Sequence, residues 1–313
     1  MSTQTNFLGS QYDWSRFVQD TAVGFGLKPS TLHKALALID EHQRRHRMTP
    51  AEASKLRGLL IWADRGITGR ALRGALTSLS ARQYWERVPG HLLSSALVAA
   101  LEYAMQVLHI IPPRLVHLRH EDRRKVLYTD AATIGETGLR LGLWLMSNGN
   151  PTICSSYDVP AEVVAQWRLR TTYIGQGELL AVLVALSTVA DHLSGTLLTW
   201  YIDNVSAASA AIKGASPDAD NSPIALVGAL LAAALDVRVW IEYVASAQNP
   251  SDVMSRDAYS DASIQQQIQS GLLQPRQVEV QWHSFTDLSS ASRLLQRWAV
   301  TEGPFGVGDG PCP

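Results

Sequence analysis

The feature that most constrains the fold is a change of hydrophobic period across IIPPRLVHLRHEDRRK, residues 110–125. Before it, apolar residues recur at the 3.6-residue spacing of amphipathic helices. STLHKALALIDEHQRRHR places Leu32, Ala35, Leu36 and Ile39 on one face and ends in Arg44, Arg45 and Arg47, which suit a helix C-terminus and could also meet phosphates. TPAEASKLRGLLIWA opens with Thr49 as N-cap, Pro50 in the first turn and Glu52 to close a capping box. ITGRALRGALTSLSARQYW predicts a third helix carrying Arg70, Arg73, Arg82 and Arg87, and a long apolar helix follows from about His91. The segment SRFVQDTAVGFGLKPS reads as irregular or weakly stranded.

After the Pro-Pro break the pattern turns to strands. KVLYTDA, GLRLGLWLMSNG and TICSSYDV predict three antiparallel strands, the second ending at an Asn-Gly turn. GQGELLAVLVALSTVADHL reads as a buried helix with Glu178 in its first turn, TLLTWYID as a strand, and VSAASAAIKG as a helix closed by Gly214. SPIALVGALLAAALD, VRVWIEYV and NPSDVMSRDA complete a β-β-β-α-β-α-α-β-α order. SIQQQIQSGLL predicts one more amphipathic helix, and TEGPFGVGDGPCP a disordered tail.

The expected organisation is a helical region over 1–111, a linker over 112–124, an α/β domain over 125–260, and a helix and tail over 261–313. At 313 residues, 46% hydrophobic and 18% charged, the chain has the composition of a soluble globular protein with two cores. His91–Ile111 is long enough to span a bilayer, but Ser94, Ser95, Glu102 and Gln106 interrupt it, so a buried core helix is expected. The N-terminus lacks a basic region followed by an apolar run, and the two cysteines form no CxxC pair. An intracellular, non-secreted protein in cytoplasm or nucleus, without zinc, is expected. Residues 1–119 carry 15 Lys and Arg against 8 Asp and Glu, whereas 120–260 carry 9 against 15. A basic part joined to an acidic one suits a nucleic-acid enzyme with a carboxylate metal site.

Four acids occupy comparable places: Asp130 at the end of the first strand, Glu178 at a helix start, Asp203 at the end of the fourth strand and Asp252 at the start of the last helix. Asp130, Glu178 and Asp252 each alone also read as a turn or helix-start residue, whereas Asp203, after the apolar strand TWYI, is harder to explain so. Brought together at the strand ends, where ligands bind in such sheets, they would need hard cations, and Mg²⁺ is the natural occupant. The Gly-containing stretches GFG, GQGE and GVGDG lack the spacing of a nucleotide loop, so no small-molecule cofactor is expected.

VLYTDAA, IGQGELLAVLVAL, TWYIDNVSAASAAI and EYVASAQNPSDVMSR together resemble the four blocks of the ribonuclease H domain of retroelement reverse transcriptases. NPSDVMSR is similar to the N-x-x-A-D-x-x-S-R pattern of DIRS-type tyrosine-recombinase retrotransposons. Upstream, NFLGSQYDW and the helices after it look like the end of a polymerase palm followed by thumb or connection helices. The resemblance implies a ribonuclease H-like fold: a five-stranded mixed sheet of order 3-2-1-4-5 flanked by helices, preceded by a helical thumb/connection region. It implies Asp130, Glu178, Asp203 and Asp252 as catalytic metal ligands for two Mg²⁺ ions, with Mn²⁺ as a substitute. The implied activity is hydrolysis of the RNA strand of RNA–DNA hybrids, with Arg44, Arg45, Arg47, Arg70, Arg73 and Asn204 contacting nucleic acid. The polymerase part of the same element is an implied partner.

The sequence departs from that pattern in three places. DAATIGETG stands where the family has D-A-S and a Gly-Trp-Gly stretch, no histidine lies between Trp240 and Asp257, and no Tyr-x-Asp-Asp polymerase motif occurs. A fragment without polymerase activity is therefore expected, with a catalytically degenerate nucleic-acid binding or assembly module as the alternative.

Overall fold

The computed structural model describes residues 3–7, 10–66, 70–111, 114–118, 124–135, 138–280 and 282. The described residues up to Leu118 form one compact unit, and those from Arg124 onward a second.

In the first unit, strands β1 (Gln4–Phe7), β2 (Ser10–Asp13), β3 (Ala22–Leu27) and β4 (Arg114–His117) make an antiparallel sheet in that order, with a one-turn helix α1 (Phe17–Asp20) before β3. The segment read as irregular or weakly stranded thus contains β3. The linker expectation is corrected, because residues 114–117 pair with β3 from Ala22↔His117 to Phe25↔Arg114. An open strand edge leaves backbone groups to be satisfied, and this segment satisfies them. Residues 112, 113 and 119–123 of that expected linker lie outside the described residues.

Four helices complete the unit: α2 (Pro29–Arg45), α3 (Pro50–Arg65), α4 (Arg73–Tyr84) and α5 (Ser95–Ile110). Ala35 and Ile39 are buried on α2. The Thr49–Glu52 capping box forms in both directions at the start of α3. Helix α5 begins after Ser94, which caps it through the Leu97 N–H, rather than at His91. Among the described residues no helix is long and apolar enough to cross a membrane. Arg82 of α4, buried, donates to the carbonyls of Met48, His91 and Leu92 and to Glu86, so it ties three segments of backbone together.

The second unit is a mixed α/β layer built on β5 (Arg124–Ile134), β6 (Gly138–Ser147) and β7 (Asn150–Asp158). Asn148 and Gly149, both at positive φ, make the two-residue turn between β6 and β7. One-turn helix α6 (Ala161–Val164), α7 (Ile174–Thr188), one-turn α8 (Ala190–Leu193), β8 (Leu197–Ile202), α9 (Val205–Lys213), α10 (Asn221–Ala234), β9 (Arg238–Tyr243), α11 (Ser251–Arg256), α12 (Ala262–Gln269) and β10 (Gln274–Pro275) follow. The sheet order is β10-β7-β6-β5-β8-β9, with β5, β6 and β7 antiparallel and β5, β8 and β9 parallel. Apart from β10 this is the 3-2-1-4-5 arrangement of a ribonuclease H-like fold.

Side chains alternate between the sheet faces. Helix α7 lies over one face, its Gly177 against Ala131, and is buried on nearly every side, with Leu179, Leu180, Leu183 and Leu186 no more than 1% exposed. Each such leucine contributes about 1.5–3 kcal/mol. Helix α11 lies over the other, where Trp144, Cys154, Met254, Ile264 and Leu273 form a hydrophobic cluster. Ile264 and Leu273 belong to α12 and the turn before β10, so the second unit does not stop at residue 260. Two residue pairs, Gln274↔Ile153 and Pro275↔Cys154, add a sixth strand to the expected five. The expected C-terminal tail lies outside the described residues.

Candidate functional site

Strand β5 pairs in parallel with β8 only as far as Thr129↔Ile202, whereas its antiparallel pairing with β6 runs on to Ile134↔Gly138. Asp130 therefore sits inside β5 rather than at its end, just past the point where pairing with β8 stops. Asp203 is the residue that follows β8, and Asn204 then caps α9 through the Ala207 N–H. Glu178 enters from α7. Because that helix starts at Ile174, Glu178 lies in its second turn, not its first, where the helix dipole accounts for less of its placement.

These three acids converge. Asp130, Glu178 and Asp203 each offer an oxygen, and the three atoms lie within 4.8 Å of one another. Asp130 is 3% and Glu178 4% exposed, so their charges are removed from water as well as crowded. Burial, reinforced by Asp203 and Asp252, pushes the Asp130 carboxyl up to about 7, against a hydrogen bond from Ser255. Burial, then the charges of Asp130 and Asp203, push Glu178 up to about 9, against the Ala131 N–H that donates to it at 3.3 Å. Ser246 Oγ donates to Asp203 Oδ2 at 2.5 Å.

Asp252 is not one of the three. Arg256, four residues on in α11, holds its Oδ1 at 2.8 Å, although its charge still acts on Asp130 and Glu178. The expected set of four is thus three gathered carboxylates and one neighbour engaged by an arginine.

Glu178 Oε2 and Asp203 Oδ1 are buried and have no hydrogen-bond partner. Two orphaned acceptors among three crowded carboxylates, all hard oxygen donors, fit a divalent cation such as Mg²⁺.

The arginines expected to meet nucleic acid belong to the first unit, and most have local partners. Arg44 pairs with Asp40, Arg45 with Glu41 and Glu52, and Arg73 lies 3.6 Å from Asp64. Arg47 and Arg70 are exposed. Asn204 uses its side-chain oxygen as a helix cap.

Four residues that sequence reasoning passed over as site residues complete the surroundings. Ser255 Oγ donates to Asp130 Oδ2. Asn249 Nδ2 donates to the Thr129 carbonyl at 3.0 Å, while Trp200 Nε1 donates to the Thr129 hydroxyl at 3.0 Å. Gly142, opposite Asp130 in register, carries no Cβ where one would strike Ser251 O and Ser255 N of α11. Asn249 and Ser255 stood in the quoted NPSDVMSR block; Gly142 left no local signal.

The fold and the site define the class: a ribonuclease H-like α/β unit with an acidic site suited to a divalent metal. No family model matches the chain, and none of the curated proteins does. Among solved structures, ribonuclease H1 of the halophilic archaeon Halobacterium salinarum NRC-1 is similar over 44% of this chain and 99% of its own, at 20% identity and a TM-score of 0.35. The N-terminal ribonuclease H domain of a Mycobacterium tuberculosis protein, fused to maltose-binding protein, is similar over 47% of this chain and 98% of its own, at 15% identity and 0.31. A foamy viral protease-reverse transcriptase in complex with RNA/DNA hybrid is similar over 77% of this chain and 29% of its own, at 14% identity and 0.31. At such scores the reading of the site rests on its own residues.

Proposed function

We propose that this chain is a Mg²⁺-dependent endonuclease that hydrolyses the RNA strand of RNA–DNA hybrids, as part of a DIRS-like reverse-transcriptase fragment without a polymerase motif. The observation that carries this reading is the convergence of Asp130, Glu178 and Asp203 with two buried oxygens lacking partners. These three residues would hold the metal, Mg²⁺ or Mn²⁺ in its place, and Asp252 is the nearby acid for a second ion. When bound, the metal supplies positive charge against a phosphodiester and acidifies water so that hydrolysis runs near neutral pH. The residues themselves do the remaining work. Ser246 fixes Asp203 in place and the Ala131 N–H fixes Glu178, and Asp130 and Glu178 would have to give up any proton they hold to serve as ligands. The hybrid and the polymerase part of the same element are the partners this reading names.

The test is incubation of the full chain with a labelled RNA–DNA hybrid and Mg²⁺, beside an Asp203→Asn variant. Cleavage by the native chain and none by the variant is expected; equal levels in both would overturn the reading. One observation favours the alternative of a binding module that no longer cuts: Arg256 already occupies Asp252. That alternative predicts hybrid binding that weakens with salt, survives neutralisation of all four acids, and is never accompanied by cleavage.

A further inference from the structure

Two segments far apart in the chain, β5 and α11, meet at the Asp130 side chain. Ser255, on α11 and fully buried, has its hydroxyl within reach of both Asp130 Oδ2 and the Asp252 carbonyl, the latter at 2.9 Å. A hydroxyl carries one proton, so it serves one acceptor at a time. An ionised carboxylate is the stronger acceptor, and the bond to it is charge-assisted. With Oδ2 engaged, rotation of the Asp130 carboxylate is restricted and Oδ1 is the oxygen left over for a ligand.

The approach that makes this bond is itself constructed. Gly142 lies opposite Asp130 on β6, and only the absence of its Cβ lets the backbone of α11 come so close. Asn249 then fixes the register of α11 on β5. Its Nδ2 donates to the Thr129 carbonyl, one residue before Asp130, and its Oδ1 accepts from the N–H of Ser251 at 3.2 Å and the hydroxyl of Ser251 at 2.6 Å. Thr129 is where pairing with β8 ends, so the amide of Asn249 ties down the backbone at the point where the sheet stops holding it on that side.

We propose that Ser255 is a positioning residue of the metal site, fixing the rotation of Asp130, with Asn249 and Gly142 setting the distance over which it acts. The proposal rests on the metal-site reading above and concerns a residue that would not itself touch the ion. Groups that orient a metal ligand in this way typically change affinity about 10–100-fold when removed.

The experiment is a Mn²⁺ titration of the full chain followed by electron paramagnetic resonance, comparing native protein, Ser255→Ala, Ser255→Thr and Asp203→Asn. Ser255→Ala is expected to weaken Mn²⁺ binding about 10–100-fold. Ser255→Thr, which keeps the hydroxyl, recovers part or all of the loss, an outcome that a packing role alone would not produce. If Ser255→Ala binds as tightly as the native chain while Asp203→Asn does not, the positioning role falls and the metal site stands. If the native chain binds no better than Asp203→Asn, both fall. Should circular dichroism find Ser255→Ala unfolded, Ser255→Cys decides, since a thiol is a weak donor of similar bulk. A loss of about tenfold or more there supports the role, and native affinity overturns it.

Discussion

Among the described residues two places bury carboxylates, and they treat the charge in opposite ways. In the first unit Asp64 has a side chain only 8% exposed, yet its Oδ1 accepts from the Leu72 N–H at 3.0 Å and its Oδ2 lies 3.6 Å from Arg73. Burial raises its pKa, while that N–H and the charges of Arg73 and Arg70 pull it back. In the second unit Asp130, Glu178 and Asp203 are set against one another, and the donors supplied to them are hydroxyls and one backbone N–H. Burial of an acid is therefore no sign of function. What distinguishes the second place is like charge brought together with acceptors left open.

The contrast can be broken by four measurements, taken here from the largest effect downward. Glu178→Gln is expected to abolish hybrid cleavage while raising the melting temperature of metal-free protein, because glutamine, unlike Glu178, has no ionisation that favours the unfolded chain. A variant that cuts normally, or one less stable than the native chain without metal, would dissolve the distinction drawn from Asp64.

The second measurement follows from the two raised acids. Asp130 stands at about 7 against 3.8, and Glu178 at about 9 against 4.5. In the window between each pair of values the folded chain holds a proton that the unfolded chain has released, so folding stability falls as pH rises. The contribution is complete below about pH 4 and lost as pH passes first 7 and then 9. Melting temperatures in chelator should therefore decline from weakly acidic to alkaline pH, by about 2–4 °C for each kcal/mol lost in a protein of this size. Saturating Mg²⁺ should flatten that decline, and a flat profile without metal would contradict the crowding of the three acids.

Gly142→Ala comes next. Its methyl meets backbone atoms of α11, which must shift, at a cost of about 1–3 kcal/mol. Cleavage should fall further than this stability loss explains, because Ser255 moves with the helix. Asp64→Ala, the smallest effect, leaves the Leu72 N–H without its acceptor and is expected to cost about 1–3 kcal/mol with hybrid cleavage unchanged. A Gly142→Ala variant of full activity, or an Asp64→Ala variant that no longer cuts, would show the two places to be alike after all.

Much of this was legible before any coordinates, and the legible part is local. The capping box of Thr49 and Glu52, the Asn148-Gly149 turn and the apolar run ending at Asp203 each involve residues a few positions apart. The three-strand meander and the helix–strand alternation after it followed from period alone. What escaped depends on partners far off in sequence. Residues 114–117 carry no strand signal of their own and are strand because β3, about ninety positions earlier, offers an edge. The pairing of Gln274 and Pro275 with β7 is of the same kind. Asp130 read as a strand end because alternation says nothing about which neighbour stops first.

The amino-acid sequence by itself determined the helices of the first unit, the order of the main elements from β5 to α11 and the four acids, since caps, turns and hydrophobic period act over one or two turns of chain. The tertiary structure alone decided that three acids meet, and that Ser255, 125 residues from Asp130, touches its carboxylate. The physical reason is that the convergence is set by where β8 ends beside β5 and by how closely α11 can approach Gly142. Those are packing distances between separate elements, and no local run of residues encodes them.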